Sequence, residues 1–434
     1  MEYYSTGKKA PNASLRKAVL RGLAEDRGLY MPEHIPTLPA SFFRDLPGMT
    51  FPAMAKSVAG AFFGDDVPSD VLDRIVSGTL SFDCPAVRVE EDVYALELFH
   101  GPTLAFKDVG ARFMARLLGY FTREDCDRGD ICVLVATSGD TGSAVANGFL
   151  GVPGTRVFVL YPKGRVSPVQ ESQFTTLGRN ITAVEVDGNF DDCQSLVKAA
   201  FMDDFLRSSL CLTSANSINI ARFLPQAFYY FYGYAQMARL GKADKLAVCV
   251  PSGNFGNVTA ALIARRMGLP INRFIVANNS NDVFFTYLQT GIYRPKPSIP
   301  TLANAMDVGD PSNFARLLDL YGGDWNRIRA DISGVVVDDG AILETIRSCH
   351  AENGYLLDPH GACAYRALRD SLKKGETGLF CETAHPAKFR ETVEKATGVP
   401  VLLPERLQAF LSGKKETVPM PAEYRAFQSL LLSR

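Results

Sequence analysis

Two stretches constrain the fold more than any others. Ile131 to Ala136 (ICVLVA) and Leu246 to Val250 (LAVCV) are unbroken apolar runs, each ending in a glycine-bearing loop, TSGDTG (137–142) or PSGNFGN (251–257). Helical patterns follow, from Ser143 and from Val258 to Met267. A strand that is apolar at every position must be covered on both faces, which is the state of a parallel strand between layers of helix. The chain is therefore expected to be α/β, with two α/β domains of mainly parallel sheet. Because ligands gather beyond the carboxyl ends of such strands, a cleft between the domains would receive both loops. The strand order is not readable from the pattern.

Other segments repeat the alternation. Val93 to Phe99, Arg156 to Tyr161, Ile181 to Val186, Arg273 to Ala277, Val335 to Val337 and Gly378 to Cys381 read as strands. Helices are expected over 191–205, 340–352 and 360–373, and a long aromatic helix over 220–240. Residues 1–78 form a mostly helical region punctuated by Pro32, Pro36, Pro39, Pro47 and Pro52. The motifs divide the remainder into an α/β domain over 79–240, a second over 241–395 and a tail over 396–434. Tyr293 to Pro300 is proline-rich and reads as a surface excursion.

Lysine plus arginine (46) nearly balances aspartate plus glutamate (47), so no polyanionic partner such as nucleic acid is expected. Nine cysteines are scattered with no C-x-x-C pair, which argues against a disulfide framework or zinc ribbon and points to a reducing compartment, the cytoplasm. No histidine pair has metal-ligand spacing, and no run of apolar residues is long enough for a membrane span.

The chemistry-bearing residues begin with Lys107 in FHGPTLAFKD (99–108). The turn His100-Gly101-Pro102 precedes Thr103, a suitable N-cap, and the apolar series Phe106, Val109, Phe113, Met114, Leu117 and Phe121 has helical spacing. A lysine in the first turns of a buried helix is disfavoured as an ammonium by the helix dipole and by desolvation, and its free amine is a nucleophile able to form a Schiff base. The alternative is a lysine that snorkels from the edge of an apolar stripe. The 252–257 loop is neither a Walker loop nor G-x-G-x-x-G; it is either a tight turn or a cradle for a phosphate monoester. TSGDTG is either an N-capped helix start, which Asp140 alone would serve, or a nest for a carboxylate or phosphate.

Lys107, TSGDTG and SGNFGN, in this order, resemble the pyridoxal-phosphate enzymes of the tryptophan-synthase-β type (fold type II). Among these the wording is similar to the threonine synthase family in YYSTGKKAPNASLRKAVLRGLAEDRGLYMP, FHGPTLAFKD, ATSGDTGSAVANGF, YPKGRVSPVQESQ, TSANSINIARFLPQ, VPSGNFGNVTA and ETAHPAKF. The resemblance implies pyridoxal 5'-phosphate as cofactor and conversion of O-phospho-L-homoserine and water to L-threonine and phosphate. It further implies that Lys107 carries the cofactor and that Gly253, Asn254, Phe255, Gly256 and Asn257 hold its phosphate. Asp140 falls where related enzymes place an asparagine near the ring 3-oxygen, and Thr383 falls near the ring nitrogen. A hydroxyl there favours elimination and replacement over transamination. By the same analogy Ser138, Gly139 and Thr141 meet the substrate carboxylate. Its phosphate would be met from among His100, Lys163, Arg165, Asn216, Asn219 and Arg222, with Arg165 and Asn216 preferred. His385, before a proline, reads as structural, and Asp108 has no role beyond a favourable charge at a helix start. A phospho-lyase that releases a 2-keto acid, or a non-catalytic sensor of a phosphorylated metabolite, would carry many of the same motifs. A monomer or homodimer is expected.

Overall fold

The computed structural model describes residues 1–122 and 130–433; Cys126 lies outside them. The chain divides into two compact units that interleave along the sequence. One comprises Met1, Met31–Phe106 and Phe223–Leu402, and the other Glu2–Tyr30, Lys107–Arg222 and Leu403–Arg434. Neither coincides with the consecutive segments 79–240 and 241–395 expected from motif order. Hydrogen bonding is the reason: strand Val93–Glu97 pairs in parallel with Thr377–Glu382, nearly three hundred residues later.

The first unit is built on a six-stranded sheet in the order Ile332–Val336, Arg273–Asn278, Leu246–Pro251, Thr377–Glu382, Val93–Glu97, Ala86–Glu90. All neighbours are parallel except the last pair. The strands Leu246–Pro251 and Thr377–Glu382 are buried at every position, as two-faced cover requires. Three N-terminal helices, Ala40–Asp45, Phe51–Phe63 and Ser69–Thr79, belong to this unit. The prolines of this region help to start them. Pro52 occupies the first turn of Phe51–Phe63, where its missing N–H costs nothing, and Thr50 caps the same turn through Ala53 N. Phe51 then stacks on Tyr232 with ring centroids 4.5 Å apart.

The second unit is built on a fully parallel five-stranded sheet, Val418–Pro421, Ile181–Asp187, Thr155–Pro162, Ile131–Ala136, Cys211–Ser214. Its outer strand comes from the segment expected to be only a tail. Pro419 and Pro421 hide that strand in the sequence, yet an edge strand tolerates residues without N–H. Helix Tyr424–Ser433 follows, and Met420, Phe427 and Leu431 join the core beside Val184 and Val186.

Two expected helices are broken. Helix 220–240 is interrupted at Leu224–Gln226, where Pro225 removes a donor and its ring blocks the preceding turn, leaving Ile220–Phe223 and Ala227–Arg239. Helix 191–205 ends at Met202, and Asp203 caps a new one, Asp204–Ser209, through Phe205 N and Leu206 N. Among the described residues no helix is long and apolar enough to cross a membrane.

Candidate active site

In the first unit, the loop after strand Leu246–Pro251 leads into helix Gly256–Arg266. Phe255 stands at the helix N-cap with φ +64, a left-handed conformation that a bulky residue adopts only when its surroundings hold it there. Its ring is buried against Phe284 at 4.6 Å, in a cluster with Tyr287 and Phe314. Asn254 fixes the other side: its Oδ1 accepts from Ser312 N (2.6 Å) and its carbonyl from Asn313 N and Nδ2. The first bond back from the helix runs from Thr259 N to Phe255 O. The amides of Gly256, Asn257 and Val258 therefore precede the helical ladder and face outward from its start.

Asn257 tests whether a phosphate suits this place. Its Oδ1 accepts from Tyr230 Oη (2.5 Å), while its buried Nδ2 has no hydrogen-bond partner among the described residues. A buried donor without an acceptor is costly unless an acceptor arrives, and a phosphate oxygen at a helix N-terminus is such an acceptor. All five expected residues, Gly253 to Asn257, lie in this one turn.

Thr383 follows strand Thr377–Glu382 in the same unit and is buried. Its carbonyl accepts from Phe106 N (2.8 Å), Ala384 forms an antiparallel bridge with Ala105, and His385 N donates to Leu104 O. The Phe106 carbonyl accepts from Tyr229 Oη, and Lys388 Nζ donates to Thr103 O. Residues 103–106 are thus a strap clamped at both carbonyls and amides, and Lys107 is the next residue, the first of helix Lys107–Thr122. Thr103 does not cap that helix. The bridge at Ala105, together with a left-handed Leu104 (φ +55), delays the helix by three residues. His385 caps the turn that follows it. Its Nδ1 accepts from Ala387 N, and burial, reinforced by His100, pushes its pKa down to about 4. His100 bonds Glu97 at 2.7 Å, and Glu97 also accepts from Tyr355 Oη.

In the second unit, Thr137 organises TSGDTG. Its hydroxyl accepts from Gly139 N (2.9 Å) and Gly142 N (2.8 Å) and donates to Gly139 O. Gly139 has φ +148, and a Cβ there would lie 2.6 Å from Gln170 Cδ, so only glycine fits. Asp140 is buried as the first residue of helix Asp140–Phe149, and its Oδ1 accepts from Gln170 Nε2 at 2.8 Å. Gln170 is held in turn by Ser167 Oγ, which donates to its Oε1, and by Ser143 Oγ, which donates to its carbonyl. Sequence reasoning missed Gln170. The Ser167-Pro168 pair announces a helix start, and a polar amide in its first turn was the available signal.

Ser138 and Thr141 are half-buried in the same loop, and Asn216 Nδ2 reaches Ala136 O, the last carbonyl of the strand before it. Lys163 and Arg165 are exposed on the turn after strand Thr155–Pro162. Two other candidates are internal struts. Asn219 Nδ2 donates to Val19 O and Ser214 O while its Oδ1 accepts from Ala221 N. Arg222 is buried and donates to Ala215 O. Burial brings its pKa down to about 10, with the charge of Asp108 opposing, so Asp108 serves as a buried counter-charge.

Parallel α/β units with a lysine at one helix start and anion-suited loops at others define a class, and a model described as "pyridoxal-phosphate dependent enzyme" matches residues 76–380. Models for the threonine synthase N terminus and C-terminal segment match residues 2–80 and 361–431. Threonine synthase of Haemophilus influenzae is 46% identical over 408 residues, 94% of each chain. The crystal structure of threonine synthase from Escherichia coli superposes with a TM-score of 0.93 at 42% identity, covering all of both chains. That of pyridoxal-phosphate-bound threonine synthase from Brucella melitensis gives 0.92 at 36% identity, over 99% of this chain and 98% of that one. The chain belongs to the threonine synthase family, and it is an enzyme dependent on pyridoxal phosphate.

Proposed function

We propose that the enzyme converts O-phospho-L-homoserine and water to L-threonine and inorganic phosphate, the last step of threonine biosynthesis, in the cytoplasm. The observation that supports this most is the likeness to threonine synthases over the whole chain, with the cradle loop intact in geometry. When bound, pyridoxal phosphate supplies the electron sink that makes the substrate α-proton acidic.

The chain supplies the rest. Lys107 Nζ holds the cofactor between turnovers and then serves as acid and base, taking the substrate α-proton and helping to move a β-proton. Phosphate leaves the γ-carbon and water adds at the β-carbon, so atoms balance with no redox partner. Gly253, Asn254, Phe255, Gly256 and Asn257 hold the cofactor phosphate through helix-start amides and Asn257 Nδ2. Thr383 would offer its hydroxyl to the ring nitrogen of the bound cofactor. Asp140 would face the ring 3-oxygen of a bound cofactor, where a carboxylate would repel an anionic oxygen unless a proton or water lay between them. Gln170 Nε2 fixes the orientation of that carboxylate. Ser138, Gly139 and Thr141 take the substrate carboxylate, and Asn216 and Arg165 its phosphate; exposure of Arg165 leaves it free to close over an anion.

Purified protein given O-phospho-L-homoserine should release phosphate and threonine in equal amounts, and Lys107→Ala should lose both turnover and the visible absorbance of bound cofactor. Phosphate accompanied by a 2-keto acid would make the protein a phospho-lyase. Neither product would make it a sensor.

A further inference from the structure

A buried chain of hydrogen bonds in the first unit joins the Thr383 end of the sheet to the underside of the 252–257 loop. Glu382, immediately before Thr383, is fully buried, and its Oε1 accepts from Asp358 N at 2.7 Å. Gly361 makes room for it, because a Cβ there would sit 1.5 Å from Glu382 Oε2. Asp358 caps helix Pro359–Ser371 by accepting from His360 N and Gly361 N. Its Oδ1 also meets His360 Nδ1 at 2.5 Å. On the other side of the imidazole, Ala305 N donates to Nε2 at 3.2 Å. An Nε2 that accepts from an amide carries no proton, so the ring proton is on Nδ1 and points at Asp358.

Ala305 lies in the single turn Asn304–Met306, and this turn is the wall behind Gly253. A Cβ on Gly253 would lie 2.6 Å from Met306 Cα and 2.9 Å from Ala305 O, so loop and turn touch backbone to backbone. Any shift of the turn is passed to the loop without a side chain to absorb it. His360 is 2% exposed and braced edge-on by Phe389 at 5.0 Å, so it has no freedom to follow.

We propose that His360 is a positioning residue for the cofactor phosphate: through Ala305 it fixes the turn that seats Gly253, held in turn by Asp358, whose backbone amide also anchors Glu382 at the strand end bearing Thr383. This rests on the assignment of Gly253 to Asn257 as the phosphate cradle and names what holds that cradle in register. The Asp358–His360 pair thereby ties the two ends of the cofactor site that belong to this unit to one helix start.

The test uses the holoenzyme, with release of pyridoxal phosphate on dilution and the ³¹P resonance of the bound phosphate as readouts. His360→Leu removes the acceptor, and Ala305→Pro removes the donor of the same bond, so the second variant decides the matter should the first not fold. Both should speed cofactor release by roughly fivefold or more, the equivalent of one net hydrogen bond, and shift the ³¹P resonance. His360→Gln, whose carbonyl oxygen reaches the same amide, should restore most of the retention. Binding of pyridoxal, which lacks the phosphate, should be unaffected. Retention and ³¹P shift like the wild type in the folded variants would overturn the role of His360. Gly253→Asp separates the two claims: if it also leaves cofactor binding intact, the cradle assignment itself is wrong.

Discussion

Gly139→Ala tests the geometry of TSGDTG with two separable costs. The first is conformational: alanine at φ +148 is strained by about 1–3 kcal/mol. The second is steric. The new methyl would stand 2.6 Å from Gln170 Cδ, and Gln170 cannot retreat without losing its bonds to Asp140 (2.8 Å) and from Ser167 (3.0 Å). Those losses add about 1–3 kcal/mol, for a total of about 2–6 kcal/mol if the two terms are summed. Only the second cost depends on Gln170. In Gly139→Ala/Gln170→Ala the clash is gone, so the double variant should be more stable than the sum of the single effects by about 1–3 kcal/mol. Urea unfolding gives the cycle, and amide exchange of helix Asp140–Phe149 gives its local counterpart. Additive effects within about 0.5 kcal/mol would refute the reasoning, since Gln170 would then not be the group that glycine accommodates.

Phe255→Gly relieves a left-handed bulky residue, worth about 1 kcal/mol, but empties a ring site packed on Phe284, at about 3–5 kcal/mol; a net loss of stability by calorimetry is expected, and a gain would show that the backbone strain dominates. His385 has a folded-state pKa of about 4, lowered first by burial and then by His100, against an ordinary 6.5. The folded state thus binds fewer protons in that window, stability is complete above pH 6.5 and falls toward pH 4 by about 3 kcal/mol, and His385→Asn, which keeps a cap acceptor, should flatten that slope in urea titrations at several pH values.

Legibility in the sequence followed the range of the interactions. TSGDTG and SGNFGN were readable because a glycine, a hydroxyl or an amide at a strand-to-helix turn is a local requirement, met within six residues. Strand Ile131–Ala136 was readable for the same reason, every residue being apolar. The interruption at Pro225 was within reach and was masked by the aromatic run around it. Sheet order was not readable, because pairing of Val93–Glu97 with Thr377–Glu382 leaves no mark in either segment. The partners of Gln170 and His360 were hidden on similar grounds: each acts on a residue thirty to fifty-five positions away, Asp140 in one case and Ala305 in the other. For the candidates Asn219 and Arg222, polarity in sequence did not reveal that their side chains bond the carbonyls of Val19, Ser214 and Ala215 inside the unit.

The strand Val418–Pro421 has a consequence for how the enzyme is made. It forms the border of the sheet in the unit that carries Lys107, yet it is translated some three hundred residues after that lysine. Until it emerges, strand Ile181–Asp187 offers an open row of amides and carbonyls to any neighbouring nascent chain. Covering that border therefore waits until every other strand of the sheet has been made, and a chain cut short before residue 418 would carry a sheet with an unguarded, aggregation-prone side.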